Sequence, residues 1–147
     1  MVLLSGPNIN GNEWKYVKDC LDTGWVSSVG SYVTDFEKQI SNYVGSKYAI
    51  ATSSGTTALH LSLLLSEVKN NDLVLVTNVT FIATLNAIKY VGASPILIDI
   101  DENSWQIDLD LVSDFLDSKT EIRNNVCVLK STGQRIKAIV PVHVLGN

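Results

Sequence analysis

Short apolar runs alternate with segments of helical periodicity along most of the chain after residue 46. The runs are apolar at nearly every position, which predicts strands buried on both faces. They are Tyr48–Thr52, Leu73–Thr77, Pro95–Ile100 and Ala138–Val142. Strands of this kind, separated by helices, are typical of a parallel sheet with helices on both sides. We therefore predict an α/β protein with three layers, α/β/α, and a mostly parallel sheet.

Two amphipathic helices are predicted before residue 47. Asn12 is a candidate N-cap for the first helix, which is expected to end near Gly24. Thr34-Asp35-Phe36-Glu37 has the form of a capping box and predicts the start of the second helix, which Gly45 ends. The chain is accordingly divided into N-terminal helices and a loop, residues 1–46, and an α/β part, residues 47–147.

Further helices are predicted over residues 56–66 and 80–91, and another begins at Asp108 or Asp110. Leucines cover almost the whole circumference of the first, which predicts a buried helix. In the second, the inward positions are Phe81, Ile82, Leu85 and Ile88. Towards the end of the chain, Val126–Leu129 and Arg135–Val142 suggest a hairpin whose second arm continues into the last core strand.

Hydroxyl side chains and one glycine join the first predicted strand to the helix that follows it. The segment Ser53-Ser54-Gly55-Thr56-Thr57 places unpaired backbone N–H groups, the positive end of a helix dipole and several hydroxyls together. Such a helix start binds phosphate readily. It lacks the glycine patterns of dinucleotide and nucleoside-triphosphate loops, so a compact phosphate monoester fits better. Simple capping of a core helix by Ser53 and Ser54 explains the same residues, and the turn alone leaves both interpretations open.

Composition excludes several classes of function. The 147 residues carry a formal net charge of −4 and are 46% hydrophobic, which gives no electrostatic basis for binding nucleic acid or an anionic membrane. No apolar run approaches the roughly 18 residues of a membrane span, and the first residues are too short a run for a signal peptide. Cys20 and Cys127 form no metal or redox motif. Two isolated thiols without a signal peptide indicate a reduced, cytoplasmic protein.

Linked motifs along the whole chain carry a more specific resemblance. They are Ser54-Gly55-Thr56-Thr57-Ala58-Leu59-His60-Leu61, the segments 77–88 and 90–95, Asp99-Ile100-Asp101, and Val140–Gly146. In this order and spacing, the chain resembles the DegT/DnrJ/EryC1/StrS family of sugar-nucleotide aminotransferases, which are pyridoxal-phosphate enzymes of fold type I. The opening segments, 11–17 and 24–30, resemble more narrowly the branch that aminates UDP-linked keto-sugars for legionaminic-type sugars.

The resemblance implies roles for particular residues. Gly55, Thr56 and Thr57 would hold the phosphate of pyridoxal 5'-phosphate, and Phe81 would lie on its pyridine ring. Core packing is the alternative for Phe81, because apolar residues follow it at helical spacing. The loop with Trp25 and Ser27 would approach the sugar, and for Trp25 simple packing is the alternative.

The resemblance also implies what these 147 residues lack. The family's aspartate for the pyridine nitrogen and its Schiff-base lysine both come after the Val-His-x-x-Gly segment, so no catalytic residue is assigned, and no metal. We therefore expect the N-terminal part of the large domain of a fold type I enzyme, inactive alone. The intact enzyme would be a cytoplasmic homodimer that aminates the 4-keto group of a UDP-activated 6-deoxy sugar with glutamate. A related sugar dehydratase and a non-catalytic module that binds a phosphorylated ligand are the alternatives.

Overall fold

The computed structural model describes residues 6–146 of the chain. The chain divides into two compact units, one ending at Ala51 and the other beginning at Thr52. Within the described residues, no helix combines the length and the apolar character needed to cross a membrane.

The first unit contains two helices, α1 (Glu13–Thr23) and α2 (Ser31–Val44). Each ends at a glycine with left-handed backbone, Gly24 at φ 78° and Gly45 at φ 69°, which confirms both predicted ends. The helices are linked by the Tyr32 hydroxyl, which donates to the Asp19 carboxylate at 2.9 Å. This hydrogen bond to a carboxylate is the main reason that the pKa of Tyr32 is raised.

Asn12 is the N-cap residue of α1, as predicted, but the predicted start of α2 is wrong. The Asn12 side chain makes no capping bond; instead Glu13 Oε2 accepts from the backbone N–H of Gly11 at 2.9 Å. Helix α2 starts three residues before Thr34, so the supposed capping box lies inside the helix. The Glu37 carboxylate makes no capping bond to its own helix; it accepts instead from the backbone N–H of Ala51 at 2.8 Å.

The second unit contains a three-stranded parallel sheet and a separate hairpin. Its elements are α3 (Gly55–Leu65), β1 (Leu73–Thr77), α4 (Ile82–Tyr90), β2 (Ser94–Ile98), α5 (Leu109–Lys119), β3 (Thr120–Arg123), β4 (Val126–Leu129), β5 (Ile136–Val140) and a short 3₁₀ turn (Val144–Gly146). The strand order in the sheet is β2-β1-β5, and β3 and β4 form the hairpin. Asp108 caps α5, since its Oδ1 accepts from the N–H groups of Asp110 and Leu111 at 2.9 and 3.0 Å.

Both faces of the sheet are covered by helices. All five residues of the central strand β1 are buried. Val74 and Val76 pack in one apolar cluster with residues of α3 and α4, including Leu63 and Ile88. Leu75 points the other way, into a cluster with residues around α5. The three-layer arrangement and the mostly parallel sheet are thus confirmed.

Strand β4 forms a hairpin, but with a different strand from the one predicted. β4 pairs antiparallel with β3, whereas the segment after it contributes only a single bridge between Val128 and Arg135. Asn124 and Asn125 form the two-residue turn with φ values of 50° and 62°. Left-handed pairs of this kind match the twist of a hairpin, and asparagine tolerates them well.

Two further predictions are wrong: a strand over Tyr48–Thr52, and a helix α3 that is buried on all sides. Tyr48–Thr52 forms no strand; Tyr48 and Ile50 are 71% and 69% exposed, and no neighbouring strand among the described residues pairs with them. A strand exists only when its backbone groups find such a partner. Helix α3 is not buried all round either, because Leu63 is buried whereas Leu64 and Leu65 are exposed.

An ion pair joins β1 and β5 where the two strands begin. Arg135 donates to both carboxylate oxygens of Asp72, at 2.8 and 2.5 Å, and the N–H of Lys69 donates to Asp72 Oδ2 at 2.7 Å. Burial by itself raises the pKa of Asp72, but the bonds from Arg135 and Lys69 outweigh it and lower that pKa overall.

Candidate functional site

The candidate site lies at the edge of the sheet where the parallel strands end. Helix α4 follows β1 and returns to the start of β2, so it runs opposite to the strands and begins at this edge. Helix α3 connects through residues 66–72 to the start of β1 and packs beside α4, so its first turn lies at the same edge. Gly55, Thr56 and Thr57 therefore share an edge of the sheet with Phe81. Open α/β sheets bind their ligands at this edge.

The first turn of α3 is open to an anion. Ser54 is the N-cap, and its Oγ accepts from the backbone N–H of Thr57 at 3.3 Å. The N–H groups of Gly55 and Thr56 have no acceptor among residues 6–146. A Cβ added to Gly55 would meet no atom within 4 Å, so the space beside this residue is open. Two free N–H groups at the positive end of an 11-residue helix fit a phosphate oxygen.

The two threonines of this turn have different surroundings. Thr57 Oγ1 lies 3.0 Å from Ser54 Oγ and 3.3 Å from Ser53 Oγ, so its hydroxyl belongs to a small network. Thr56 is half-buried, and its hydroxyl has no hydrogen-bond partner among the described residues. The hydroxyl of Thr56 is therefore the freer of the two to bind a ligand, and that of Thr57 also serves the helix cap.

Phe81 and Ile82 do not point inward as predicted. Phe81 is 78% exposed and is the N-cap of α4, with extended backbone at φ −70° and ψ 140°. Ile82 is exposed as well, whereas Ile88 of the same helix is fully buried. Residues 78–80, which separate β1 from Phe81, form bends. An exposed aromatic ring at this edge is suited to contact a flat ligand.

A polar pair at the same edge was missed from the sequence. Asn78, after β1, donates from Nδ2 to Asp99 Oδ1, after β2, at 2.7 Å. The nearby Thr77 hydroxyl is fully buried and has no partner among the described residues. The sequence signal was the polar residue at the end of each apolar strand. The 21-residue separation hid the pairing.

Trp25 and Ser27 lie in the first unit, whereas the residues described above lie in the second. They line a cavity of about 90 Å³ with residues from the end of α1 and the start of α2. This is much smaller than the roughly 300 Å³ or more of ligand pockets. Trp25 is exposed, and a Cβ added to Gly30 would lie 3.8 Å from the Cβ of Trp25. Among residues 6–146, no group of three acidic, histidine or cysteine side chains is placed to bind a metal ion.

Comparison with known proteins gives the context of this site. The chain is 37% identical over 146 residues to GDP-perosamine synthase of Caulobacter vibrioides, which covers 99% of this chain and 35% of that protein. Its structure resembles a DegT/DnrJ/EryC1/StrS aminotransferase from Brucella abortus, with a TM-score of 0.76 and 26% identity over 90% of this chain and 33% of that one. It also resembles the pyridoxamine-phosphate form of a putative sugar aminotransferase from Streptococcus pneumoniae, with a TM-score of 0.71 and 32% identity over 77% and 28% of the two chains.

The chain thus spans about a third of the length of the proteins it matches. The family model itself matches residues 7–147, almost the whole chain. The motifs around Gly55 and Phe81 lie within that range. The chain belongs to the DegT/DnrJ/EryC1/StrS aminotransferase family.

Proposed function

We propose that the intact protein is a pyridoxal-phosphate-dependent aminotransferase that aminates the 4-keto group of a nucleotide-activated 6-deoxy sugar. The observation that carries this proposal is the open first turn of α3, which shares an edge of the sheet with the exposed ring of Phe81. A helix start that can bind phosphate and an exposed aromatic ring at one edge of the sheet match the phosphate group and the pyridine ring of the cofactor. Family membership and the similarity to a pyridoxamine-phosphate form support the same assignment.

The residues of this chain would bind and orient the cofactor. The N–H groups of Gly55 and Thr56 and the hydroxyl of Thr56 would bind its phosphate, with Thr57 supporting the turn. Phe81 would cover one face of the pyridine ring and exclude water from it. When bound, pyridoxal phosphate supplies an electron-accepting ring and a carbonyl that carries the amino group from donor to acceptor. None of these residues is proposed to be catalytic, and the 147 residues alone are expected not to transaminate.

The substrate is the finer part of the proposal. Trp25 and Ser27 would contact the sugar nucleotide, glutamate would donate the amino group, and the enzyme would act as a cytoplasmic homodimer. The resemblance in the opening segments favours a UDP-linked sugar. The similarity to a protein named GDP-perosamine synthase favours a GDP-linked one. The experiment below therefore supplies both kinds of sugar nucleotide.

The test supplies the intact protein with pyridoxal phosphate, ¹⁵N-glutamate and either UDP- or GDP-linked 4-keto-6-deoxy sugars. Mass spectrometry should find ¹⁵N in one sugar nucleotide and an equal amount of 2-oxoglutarate. A sugar that has lost water and carries no ¹⁵N would instead show the dehydratase alternative. Absence of thermal protection by pyridoxal phosphate would refute the cofactor assignment and favour the non-catalytic module.

A matched pair of variants tests the ring contact. Phe81→Leu should weaken binding of pyridoxamine phosphate by about 3- to 10-fold, because an aromatic contact contributes about 0.5–1.5 kcal/mol. Phe81→Tyr keeps the flat face and should bind like the wild type. Equal binding by Phe81→Leu would contradict the assignment of this residue.

A further inference from the structure

Asn78 and Asp99 tie together the ends of two adjacent strands. Besides the 2.7 Å bond between their side chains, the backbone N–H of Asn78 donates to the carbonyl of Ile98 at 2.8 Å. The carboxylate oxygen that accepts from Asn78 also accepts from the N–H of Ile100 at 2.8 Å. One carboxylate oxygen therefore holds the chain as it leaves β1 and as it leaves β2.

Only two residues separate this pair from Phe81. At the far end of the segment, Phe81 is held by α4, because its carbonyl accepts from the N–H of Thr84 at 3.1 Å. The Thr80 hydroxyl donates to Thr84 Oγ1 at 3.0 Å. The segment is thus anchored to the sheet at Asn78 and to the helix at Phe81.

The ring of Phe81 has little packing of its own to hold it. Because 78% of its surface is exposed, its position follows from the backbone that carries it. A shift of the backbone at Asn78 therefore also moves the Phe81 ring, since only two residues lie between them. The acceptor at that point is a carboxylate, which makes the bond from Asn78 a strong one for an exposed site.

We propose that Asn78 and Asp99 are positioning residues that set the place of the Phe81 ring at the candidate site. This rests on the proposed function, in which that ring covers the cofactor. Neither residue is a catalytic residue here, since each acts through the loop between β1 and α4. Loss of the pair should loosen residues 79–84 and weaken cofactor binding without unfolding the sheet, whose buried strand β1 does not depend on it.

A charge-swap series tests the pair. Asn78→Asp replaces the amide donor with a second carboxylate, so the two side chains repel when both are ionised and share a proton at low pH. The double variant Asn78→Asp with Asp99→Asn restores one donor and one acceptor with their places exchanged. Asn125→Asp, in the turn between β3 and β4, adds the same charge at an exposed position and is the control.

Other ionisable groups nearby are the same in every variant. Asp101 accepts from the N–H groups of Asn103 and Ser104, and Asp108 caps α5. His143 lies beyond the end of β5. Each variant is compared with the wild type at the same pH, so that these groups and the ligand are common to both measurements.

Two readouts are measured at pH 8 and pH 5 in the intact protein: the dissociation constant of pyridoxamine phosphate, and amide exchange of residues 79–84 without ligand. Pyridoxamine phosphate is used because it binds without a covalent bond. At pH 8, Asn78→Asp should bind about 10-fold more weakly than the wild type and lose protection over residues 79–84. At pH 5, both differences should be smaller than at pH 8, because one of the two carboxylates is then partly protonated. The double variant and the control should match the wild type at both values.

Three results would overturn the proposal: wild-type behaviour of Asn78→Asp at pH 8, an equal defect at both pH values, or no recovery in the double variant. If the wild type itself does not bind pyridoxamine phosphate, the proposed function fails. The pair is then judged by amide exchange alone. Protection that is lost at pH 8 and regained in the double variant would support it, and unchanged protection would refute it.

Discussion

Replacing Thr56 and Thr57 separately by valine should separate ligand binding from helix capping. Valine has nearly the shape of threonine and removes only the hydroxyl hydrogen-bonding group. The Thr57 hydroxyl contacts Ser54 and Ser53 at 3.0 and 3.3 Å, whereas that of Thr56 has no partner among the described residues. The two variants therefore differ in what the folded protein loses before any ligand binds.

The magnitudes follow from these contacts. Thr57→Val should lower the free energy of unfolding by about 1 kcal/mol, the usual contribution of a helix cap or a neutral hydrogen bond. Thr56→Val should leave stability within about 0.5 kcal/mol of the wild type. A hydroxyl bound to a charged phosphate contributes roughly 1.5–3 kcal/mol. Thr56→Val should therefore weaken binding of pyridoxamine phosphate by at least about 10-fold, and Thr57→Val by less.

Urea denaturation without ligand measures the first quantity, and titration of the intact protein with pyridoxamine phosphate measures the second. The expected result is a crossed pattern, with Thr57→Val less stable and Thr56→Val the weaker binder. If Thr56→Val binds as tightly as the wild type, its hydroxyl does not contact the phosphate. If both variants lose stability alike, the difference between the two hydroxyls is refuted.

Three further predictions concern the fold. Asp72→Asn should cost about 1.5 kcal/mol of unfolding free energy at pH 7, because the partly exposed Arg135 loses its charged hydrogen-bond acceptor. Since the pKa of Asp72 is lowered in the folded state, the wild type should hold this contribution above about pH 5 and lose it as the pH falls through the folded-state pKa. The variant should lack that loss in urea titrations across pH, and a parallel pH profile would contradict the assignment. Ile88→Ala should cost about 3 kcal/mol and Ile82→Ala less than about 1 kcal/mol, because only Ile88 is buried; equal costs in thermal melts would contradict this. The 147 residues expressed alone should self-associate through their exposed apolar side chains, and a monodisperse monomer in light scattering would refute this.

Local features of the fold could be predicted from contiguous residues. The apolar run Leu73–Thr77 is a strand buried on both faces, and the ends of α1 and α2 lie at Gly24 and Gly45 as expected. Helix α3, predicted from residue 56, begins at Gly55 after the Ser54 cap, and a hydroxyl cap depends on adjacent residues only. The residues of the candidate phosphate site could be proposed from the sequence for the same reason.

Features that depend on distant partners were decided by the tertiary structure. Glu37 belongs to a capping-box pattern but bonds to Ala51, which follows its helix. Tyr48–Thr52 has the composition of a strand but has no strand beside it among the described residues. Asn78 and Asp99 are 21 residues apart in the sequence and meet only because parallel strands end at one edge. A hydrogen bond between distant residues needs both partners in place, so only their packing in three dimensions determines where each polar group is satisfied.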